Sequence, residues 1–119
     1  MSKVLVVDDE SDIRFMHRRI LAKAGHEVTE AGDGAMALAA VRDWAPDLVI
    51  TDMMMPIMDG AELIRRLRED PATAAIPVLS VSGDSQLAGE ADIVLTKPCL
   101  TATLLAAAQD LLQRGRGAR

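Results

Sequence analysis

Five short runs of apolar and β-branched residues alternate along the chain with segments in which apolar residues recur at helical spacing. The runs cover residues 4–7, 27–31, 47–52, 76–81 and 93–96. Such short continuous runs are typical of strands that are buried on both faces. Their alternation with helices predicts an α/β fold, with a parallel sheet, right-handed crossovers and helices on both faces.

Capping and turn residues predict where the helices begin and end. We expect Ser11 to cap the first helix and Gly25 to end it. Asp59 and Glu62 have the spacing of a capping box at the start of the third helix. The helices are expected from Ser11, over residues 35–42, from Asp59 and from Thr101.

The fourth crossover departs from this pattern. Only seven residues, 84–90, lie between Gly83 and Ala91, which allows about 10 Å of helix at most. We therefore expect the fourth crossover helix to be reduced or absent. The 119 residues suffice for one domain, which we place at residues 1–114, followed by a flexible tail at 115–119.

Composition and charge argue against several classes of function. A net charge of -5 and only two aromatic residues, Phe15 and Trp44, are unlike a nucleic-acid-binding surface. The single cysteine, Cys99, rules out an intrachain disulfide and is typical of a reducing compartment. No apolar run has the ~20 residues of a membrane span, and the first residues do not resemble a signal peptide. We expect a cytoplasmic protein with no nucleic-acid partner and no membrane partner.

Polar side chains collect where four of the predicted strands end. They are Asp8, Asp9 and Glu10 after the first strand, Asp52 after the third, Ser82 after the fourth and Lys97 after the fifth. In a parallel sheet the carboxyl ends of the strands meet at one edge, where open α/β sheets bind their ligands. We therefore expect these side chains to share a site.

The residue types at this edge indicate phosphoryl chemistry at a metal site. Clustered carboxylates stay ionised only when a cation shares the site, and oxygen ligands without His or Cys favour Mg²⁺. An ammonium and a hydroxyl suit the oxygens of a phosphoryl group, with a carboxylate as the nucleophile. By itself, Asp52 is equally well explained as an acid that caps a turn. Neither glycine-rich nucleotide-binding motif occurs in the sequence.

Four short motifs occur in one order over nearly the whole chain. They are Val6-Val7-Asp8-Asp9-Glu10, Asp52-Met53-Met54-Met55-Pro56-Ile57-Met58-Asp59-Gly60, Pro77-Val78-Leu79-Ser80-Val81-Ser82-Gly83 and Leu95-Thr96-Lys97-Pro98. With these motifs the chain resembles the receiver domain of bacterial two-component response regulators, in the chemotaxis-regulator-like superfamily. The resemblance implies a flavodoxin-like, doubly wound sheet of five parallel strands in the order 2-1-3-4-5.

The resemblance also implies a role for each acid at the edge. Asp52 would be the phosphoacceptor, taking a phosphoryl group from a phosphohistidine of a sensor histidine kinase or a histidine phosphotransfer protein. Asp9, Asp52 and the backbone carbonyl of Met54 would bind Mg²⁺ directly. Asp8 would help to hold the metal through water.

Further residues would bind the phosphoryl group or respond to it. The resemblance implies that Lys97 pairs with a phosphoryl oxygen and that Ser82 moves toward the group to transmit the signal. Pro98 corresponds to a cis-proline, and Met54 and Asp84 would tune hydrolysis of the aspartyl phosphate. The output would be contact with a downstream protein target. The domain would not be an enzyme, beyond Mg²⁺-dependent self-phosphorylation from small donors and self-dephosphorylation.

One switch residue departs from the family pattern. Val94 stands where relatives commonly carry an aromatic residue that follows the movement of the Ser82 hydroxyl. The kinase or phosphotransfer partner is expected on the first helix and the loop after the fifth strand, which flank the phosphoacceptor. The expected docking residues are Ile13, Arg14, Met16, His17, Pro98 and Cys99.

Two other functions stay open at this point. A receiver-like module could bind its partners without phosphorylation, since the aromatic switch residue and a full fourth helix are missing. A flavodoxin-like cofactor binder or a small phosphatase could use the same topology. This last alternative is disfavoured, because no aromatic residue flanks the strand ends and no phosphate-binding loop follows the first strand.

Overall fold

The computed structural model of the protein describes residues 2–83 and 91–114. Within these residues the chain forms five strands and four helices. The strands are β1 Lys3–Val7, β2 Glu27–Ala31, β3 Leu48–Thr51, β4 Val78–Ser82 and β5 Ile93–Thr96. The helices are α1 Ser11–Lys23, α2 Gly34–Trp44, α3 Gly60–Glu69 and α4 Thr101–Arg114.

The five strands form one parallel sheet in the order β2-β1-β3-β4-β5. The predicted fold and strand order are confirmed. Burial differs between the centre and the edges, because β3 and β4 are fully buried whereas β2 and β5 are mostly half-buried or exposed. The prediction that every strand is buried on both faces is wrong at these two strands, since an edge strand has a neighbour on one side only.

Alternate side chains of β1 point to opposite faces of the sheet and enter two different cores. Leu5 and Val7 pack with residues of α2 and α3, whereas Val4 and Val6 pack with residues of α1 and α4. Burying one such side chain stabilises the fold by about 2 kcal/mol. The two cores together hold the central strands in place, and with them the polar residues at the strand ends.

The helix ends follow the predicted capping residues in two cases out of three. Asp59 caps α3, because its carboxylate accepts a hydrogen bond from the third helical N–H. Gly25 follows α1 with a φ of 100°, a conformation that favours glycine. The prediction for Ser11 is wrong, because Ser11 is already the first residue of α1. Glu10 occupies the cap position without a side-chain cap bond, and its N–H donates to the Asp8 carboxylate instead.

Several predictions concern segments that lie outside the described residues. The reduced fourth crossover helix at 84–90 is one of them, together with the tuning role of Asp84. The flexible tail at 115–119, which follows the predicted end of the domain, is another. In the part of the chain that is described, no helix has the length and apolarity needed to cross a membrane.

Candidate functional site

Backbone hydrogen bonds hold the carboxyl ends of the strands side by side. The Asp52 N–H donates to the Val7 carbonyl at 3.0 Å, so the residue after β3 lies next to the end of β1. The Lys97 N–H donates to the Ser82 carbonyl at 2.8 Å and ties the residue after β5 to the end of β4. The structure thus brings the four strand ends with polar residues to one edge of the sheet, which we call the acidic edge.

The ammonium of Lys97 lies between three carboxylates of the acidic edge. Its Nζ is 3.1 Å from Asp8 Oδ2, 3.4 Å from Asp52 Oδ2 and 3.8 Å from Glu10 Oε1. The three carboxylates offer oxygen atoms within 4.8 Å of one another. Asp8 and Asp52 are only 2% and 7% exposed. We call these four residues the Lys97 cluster, in which the low exposure of Asp8 and Asp52 strengthens their interactions with Lys97.

The pKa values of Asp52 and Lys97 reflect burial first and neighbouring charges second. Burial raises the pKa of the Asp52 carboxyl, and the Asp8 carboxylate raises it further. Lys97 and the Met53 N–H, which donates to Asp52 Oδ1 at 2.8 Å, lower it in part. Burial also works against the Lys97 ammonium, but bonds and charge interactions with Asp8 and Asp52 leave its pKa raised. Lys97 therefore stays charged, and the charge on Asp52 is only partly compensated.

Asp9 lies apart from the Lys97 cluster. It is exposed and lines, with Met54, a neighbouring cavity of about 490 Å³. Asp8 and Glu10, on either side of Asp9 in the chain, instead lie within 3.8 Å of Lys97 Nζ. Two of the predicted metal ligands thus share the cavity, whereas Asp8 contacts Lys97. Glu10, which the sequence placed at this site without an individual role, belongs to the Lys97 cluster.

Gly60 allows the loop after Asp52 to pack directly against the start of α3. Its N–H donates to the Met53 carbonyl at 3.0 Å. A Cβ at this position would lie 2.5 Å from the Asp52 carbonyl oxygen and 2.7 Å from Met53 Cα, both of which are backbone atoms. Met53 is itself 3% exposed. This close approach fixes the backbone next to the Asp52 carboxylate.

The two predicted switch residues lie in different surroundings. Ser82 ends β4, is buried at the acidic edge and pairs in register with Thr96 of β5. Val94 pairs with Ser80 and is 38% exposed on the edge strand. A valine is stiff at χ1 and carries no ring, so it cannot reproduce the rotamer change of an aromatic residue.

The predicted docking residues on α1 differ in how accessible they are. Met16 is 48% exposed and Ile13 is half-buried. His17 is only 5% exposed, and burial lowers the pKa of its imidazole. Arg14 is half-buried and hydrogen-bonded to Glu30 and to a backbone carbonyl. Of these four residues, Met16 and Ile13 offer side-chain surface to a partner.

A groove of about 360 Å³ separates α1 from the loop after β5. The peptide bond between Lys97 and Pro98 is cis, as the resemblance implied. Cys99 is half-buried, and burial raises the pKa of its thiol. The groove is lined by Ile13, Met16, His17, Val81, Lys97, Pro98 and Cys99. The structure therefore places five of the six predicted docking residues along one groove, next to the Lys97 cluster.

A known family combines this fold with these strand-end residues. The sequence profile of the response regulator receiver domain matches residues 4–109. The chain belongs to this family. The resemblance found from the four motifs is thereby confirmed, and the receiver domain is a signalling domain of two-component systems.

Individual relatives agree with this assignment. The receiver domain is 40% identical over 121 residues to the transcriptional regulatory protein PrrA of Mycobacterium leprae, covering 98% of this chain and 52% of PrrA. It is 37% identical over 118 residues to the phosphate regulon transcriptional regulatory protein PhoB of Pseudomonas aeruginosa, covering 93% of this chain and 52% of PhoB. The structure of the chemotaxis response regulator CheY4 of Vibrio cholerae matches with a TM-score of 0.87. That match has 36% identity and covers 93% of this chain and 98% of CheY4.

The receiver domain spans about half the length of the two curated relatives. Both relatives are named as transcriptional regulators, so the prediction that no nucleic acid is a partner gains no support from them. CheY4, whose chain is matched almost completely, is named as a chemotaxis response regulator. Receiver domains thus occur in proteins with different outputs.

Proposed function

We propose that this receiver domain is a switch activated when Asp52 accepts a phosphoryl group from a phosphohistidine of a sensor histidine kinase or a histidine phosphotransfer protein. The observation that supports this most is the Lys97 cluster, in which a buried carboxylate lies 3.4 Å from an ammonium that a second buried acid also binds. A structural ion pair needs one acid for each base. Here three acids share one ammonium, and this excess of negative charge favours a further cation.

The transfer forms one bond and breaks one. An oxygen of the Asp52 carboxylate attacks the phosphorus in line with the P–N bond of the phosphohistidine. As the new O–P bond forms, the P–N bond breaks, and its electron pair stays on the imidazole nitrogen, which takes up a proton. The Lys97 ammonium is placed to bind a phosphoryl oxygen while Asp8 keeps hold of it at 3.1 Å. A fixed ammonium stabilises the negative charge of the transition state without reorganising.

Mg²⁺ would be held by Asp9, Asp52 and the Met54 carbonyl, with Asp8 acting through water. The excess negative charge of the Lys97 cluster attracts the ion, and the ammonium within 3.8 Å of its three carboxylates favours a position on the Asp9 side of Asp52. The cavity shared by Asp9 and Met54 has no cationic side chain among its described lining residues. When bound, Mg²⁺ neutralises charge on the phosphoryl oxygens.

The readout would pass from the acidic edge to the surface through β4 and β5. Ser82, buried beside β5, would follow the phosphoryl group, and a protein target would read the altered edge strand around Val94. The groove beside Pro98 would receive the phosphohistidine partner. We also propose a cytoplasmic location, because a single cysteine is typical of reducing compartments.

Incubation with acetyl phosphate and Mg²⁺, followed by intact-mass measurement, tests this function. We expect the wild type to gain the mass of one phosphoryl group and Asp52→Asn to gain none. Asp33→Asn is the matched control, because it makes the same acid-to-amide change at the N-cap of α2. It should be modified like the wild type. An unmodified wild type would contradict the proposal and favour an interaction module that works without phosphorylation.

A further inference from the structure

Arg14 connects three parts of the fold next to the acidic edge. Its Nη1 donates to the backbone carbonyl of Asp8 at 2.6 Å, and its Nε donates to Glu30 Oε1 at 2.9 Å. Glu30 belongs to β2, where it lies opposite Val6 of β1. The side chains of Arg14 and Glu30 are 21% and 25% exposed. One guanidinium thus bridges α1, β2 and the turn that carries the acids.

The carbonyl that Arg14 binds belongs to the peptide group leading into Asp9. Because a peptide group is planar, the Asp8 carbonyl and the Asp9 Cα lie in one plane. Holding the carbonyl therefore fixes the direction in which Asp9 leaves the strand. On the other side of the turn, the Glu10 N–H donates to Asp8 Oδ1 at 3.0 Å. The N-cap residue of α1 makes no side-chain cap bond that would hold this turn.

We propose that Arg14 is a positioning residue for Mg²⁺ binding, and that it acts through the Asp8–Asp9 peptide rather than by touching the ion. The inference rests on the proposed function, in which Asp9 is a metal ligand. It differs from the docking role suggested by the sequence, because a guanidinium bonded to Glu30 and to a backbone carbonyl is committed within the fold. Groups that orient metal ligands commonly change metal affinity by about 10- to 100-fold when they are lost.

An effect of the Arg14 charge alone would have the opposite sign. Arg14 is a cation near an acidic site, so electrostatics by itself predicts tighter Mg²⁺ binding when it is removed. Glu30 offsets part of this charge and also accepts a hydrogen bond from Arg18 Nη1 at 3.1 Å. Arg14→Lys separates the two effects, because lysine keeps the charge but cannot reproduce two bonds that depend on a planar fork.

Titration of the unphosphorylated protein with Mg²⁺, followed through the amide NMR signals of Asp9 and Met54, tests this role. We expect Arg14→Lys and Arg14→Gln to raise the Kd for Mg²⁺ about tenfold. Arg18→Lys is the matched control, because Arg18 binds the same Glu30 but is 50% exposed and makes no bond to the turn among its described contacts. It should change the Kd less than about twofold, as should Glu30→Gln, which keeps an acceptor for Arg14.

The rate of phosphorylation by acetyl phosphate provides a second readout. Both Arg14 variants should need about tenfold more Mg²⁺ for the half-maximal rate. At saturating Mg²⁺ they should reach the wild-type rate, because Asp52 and Lys97 are untouched. An unchanged or lower Kd in both Arg14 variants would overturn the proposal, and so would an equal loss in Arg18→Lys. Mg²⁺ binding requires no phosphoryl transfer, so a wild type that binds Mg²⁺ but is not phosphorylated would count against the proposed function alone.

Discussion

The residues that follow the central strands β1 and β3 differ from those of the edge strand β5 in burial and in contacts. Asp8 and Asp52, which follow β1 and β3, are almost completely buried, and hydrogen bonds hold both their backbones and their carboxylates. β5 alternates half-buried and exposed residues, with Val94 among the exposed ones. Lys97 connects the two regions, because it follows β5 and its ammonium contacts both central acids.

Under the proposed function, this difference would separate the phosphoryl chemistry of the receiver domain from its readout. Charged groups shift one another's pKa values and attract cations most strongly where water is excluded, which the central strands provide. A surface that a protein partner reads has to be exposed, which the edge strand provides. A new negative charge on Asp52 would act directly on Lys97, and the backbone of Lys97 is bonded to the end of β4.

Adding one methyl group beside Asp52 and another directly after β4 should give the largest contrast. Gly60→Ala places its Cβ 2.5 Å from the Asp52 carbonyl oxygen, so the backbone must shift. We expect the free energy of unfolding to fall by about 2 kcal/mol. Gly83, at the end of β4, has no described atom within 4 Å of an added Cβ. Gly83→Ala should therefore change the free energy by less than about 1 kcal/mol in either direction. Urea unfolding measures the free energy of both variants, and equal losses would contradict tighter packing beside Asp52 than after β4.

The Mg²⁺ affinities of two variants show whether the ion binds beside the cavity lined by Asp9 or within the Lys97 cluster. Asp9→Asn should weaken Mg²⁺ binding about tenfold or more, because it removes a ligand. Glu10→Gln should weaken it less than about threefold, since Glu10 is exposed and its nearest cation is Lys97 at 3.8 Å. Isothermal titration calorimetry on the two variants gives both constants. A larger loss in Glu10→Gln would place the ion within the Lys97 cluster.

The stability of Asp52→Asn should depend on pH in a defined direction. Burial and the Asp8 carboxylate raise the pKa of Asp52 in the folded state above its pKa of about 4 in the unfolded chain. The wild type therefore loses stability as the pH rises from the unfolded pKa through the folded pKa. Without Mg²⁺ at pH 7, the variant should be more stable than the wild type by about 1 kcal/mol, because it lacks the poorly compensated charge. Below the unfolded pKa of Asp52, the variant should no longer be more stable than the wild type.

Urea unfolding at pH 7 and below the unfolded pKa, with Asp33→Asn as the control, checks this prediction. A variant that is less stable at pH 7 would show that Lys97 compensates the charge completely.

The apolar pattern was enough to predict all five strands, whereas their order came from the resemblance to the receiver family. The prediction that each strand is buried on both faces failed at β2 and β5, because the apolar pattern records hydrophobicity and not the number of neighbouring strands. The capping prediction failed at Ser11, because several residue types can precede a helix and only the backbone conformation decides which residue is the N-cap. Asp59 was predicted correctly, and its carboxylate accepts a hydrogen bond from the Glu62 N–H at the start of α3.

The site was predictable where each residue directly follows a strand, as Asp52 and Lys97 do. The contact of Glu10 with Lys97 and the bonds of Arg14 were not, because they depend on contacts between separate elements. Arg14 and Glu30 are sixteen residues apart in the sequence, and nothing in their spacing indicates a bridge across β2 and α1. The sequence alone therefore could not show that Arg14 is hydrogen-bonded within the fold.

Borohydride reduction after phosphorylation identifies the acid that carries the phosphoryl group. An aspartyl phosphate is reduced to homoserine, whereas a free carboxylate is not, so peptide mass spectrometry locates the modified residue. Four acids compete at this edge of the sheet. The account predicts homoserine at Asp52 alone, because burial raises the pKa of its carboxyl and Lys97 lies 3.4 Å from it. Reduction at Asp8, Asp9 or Glu10 instead would contradict it.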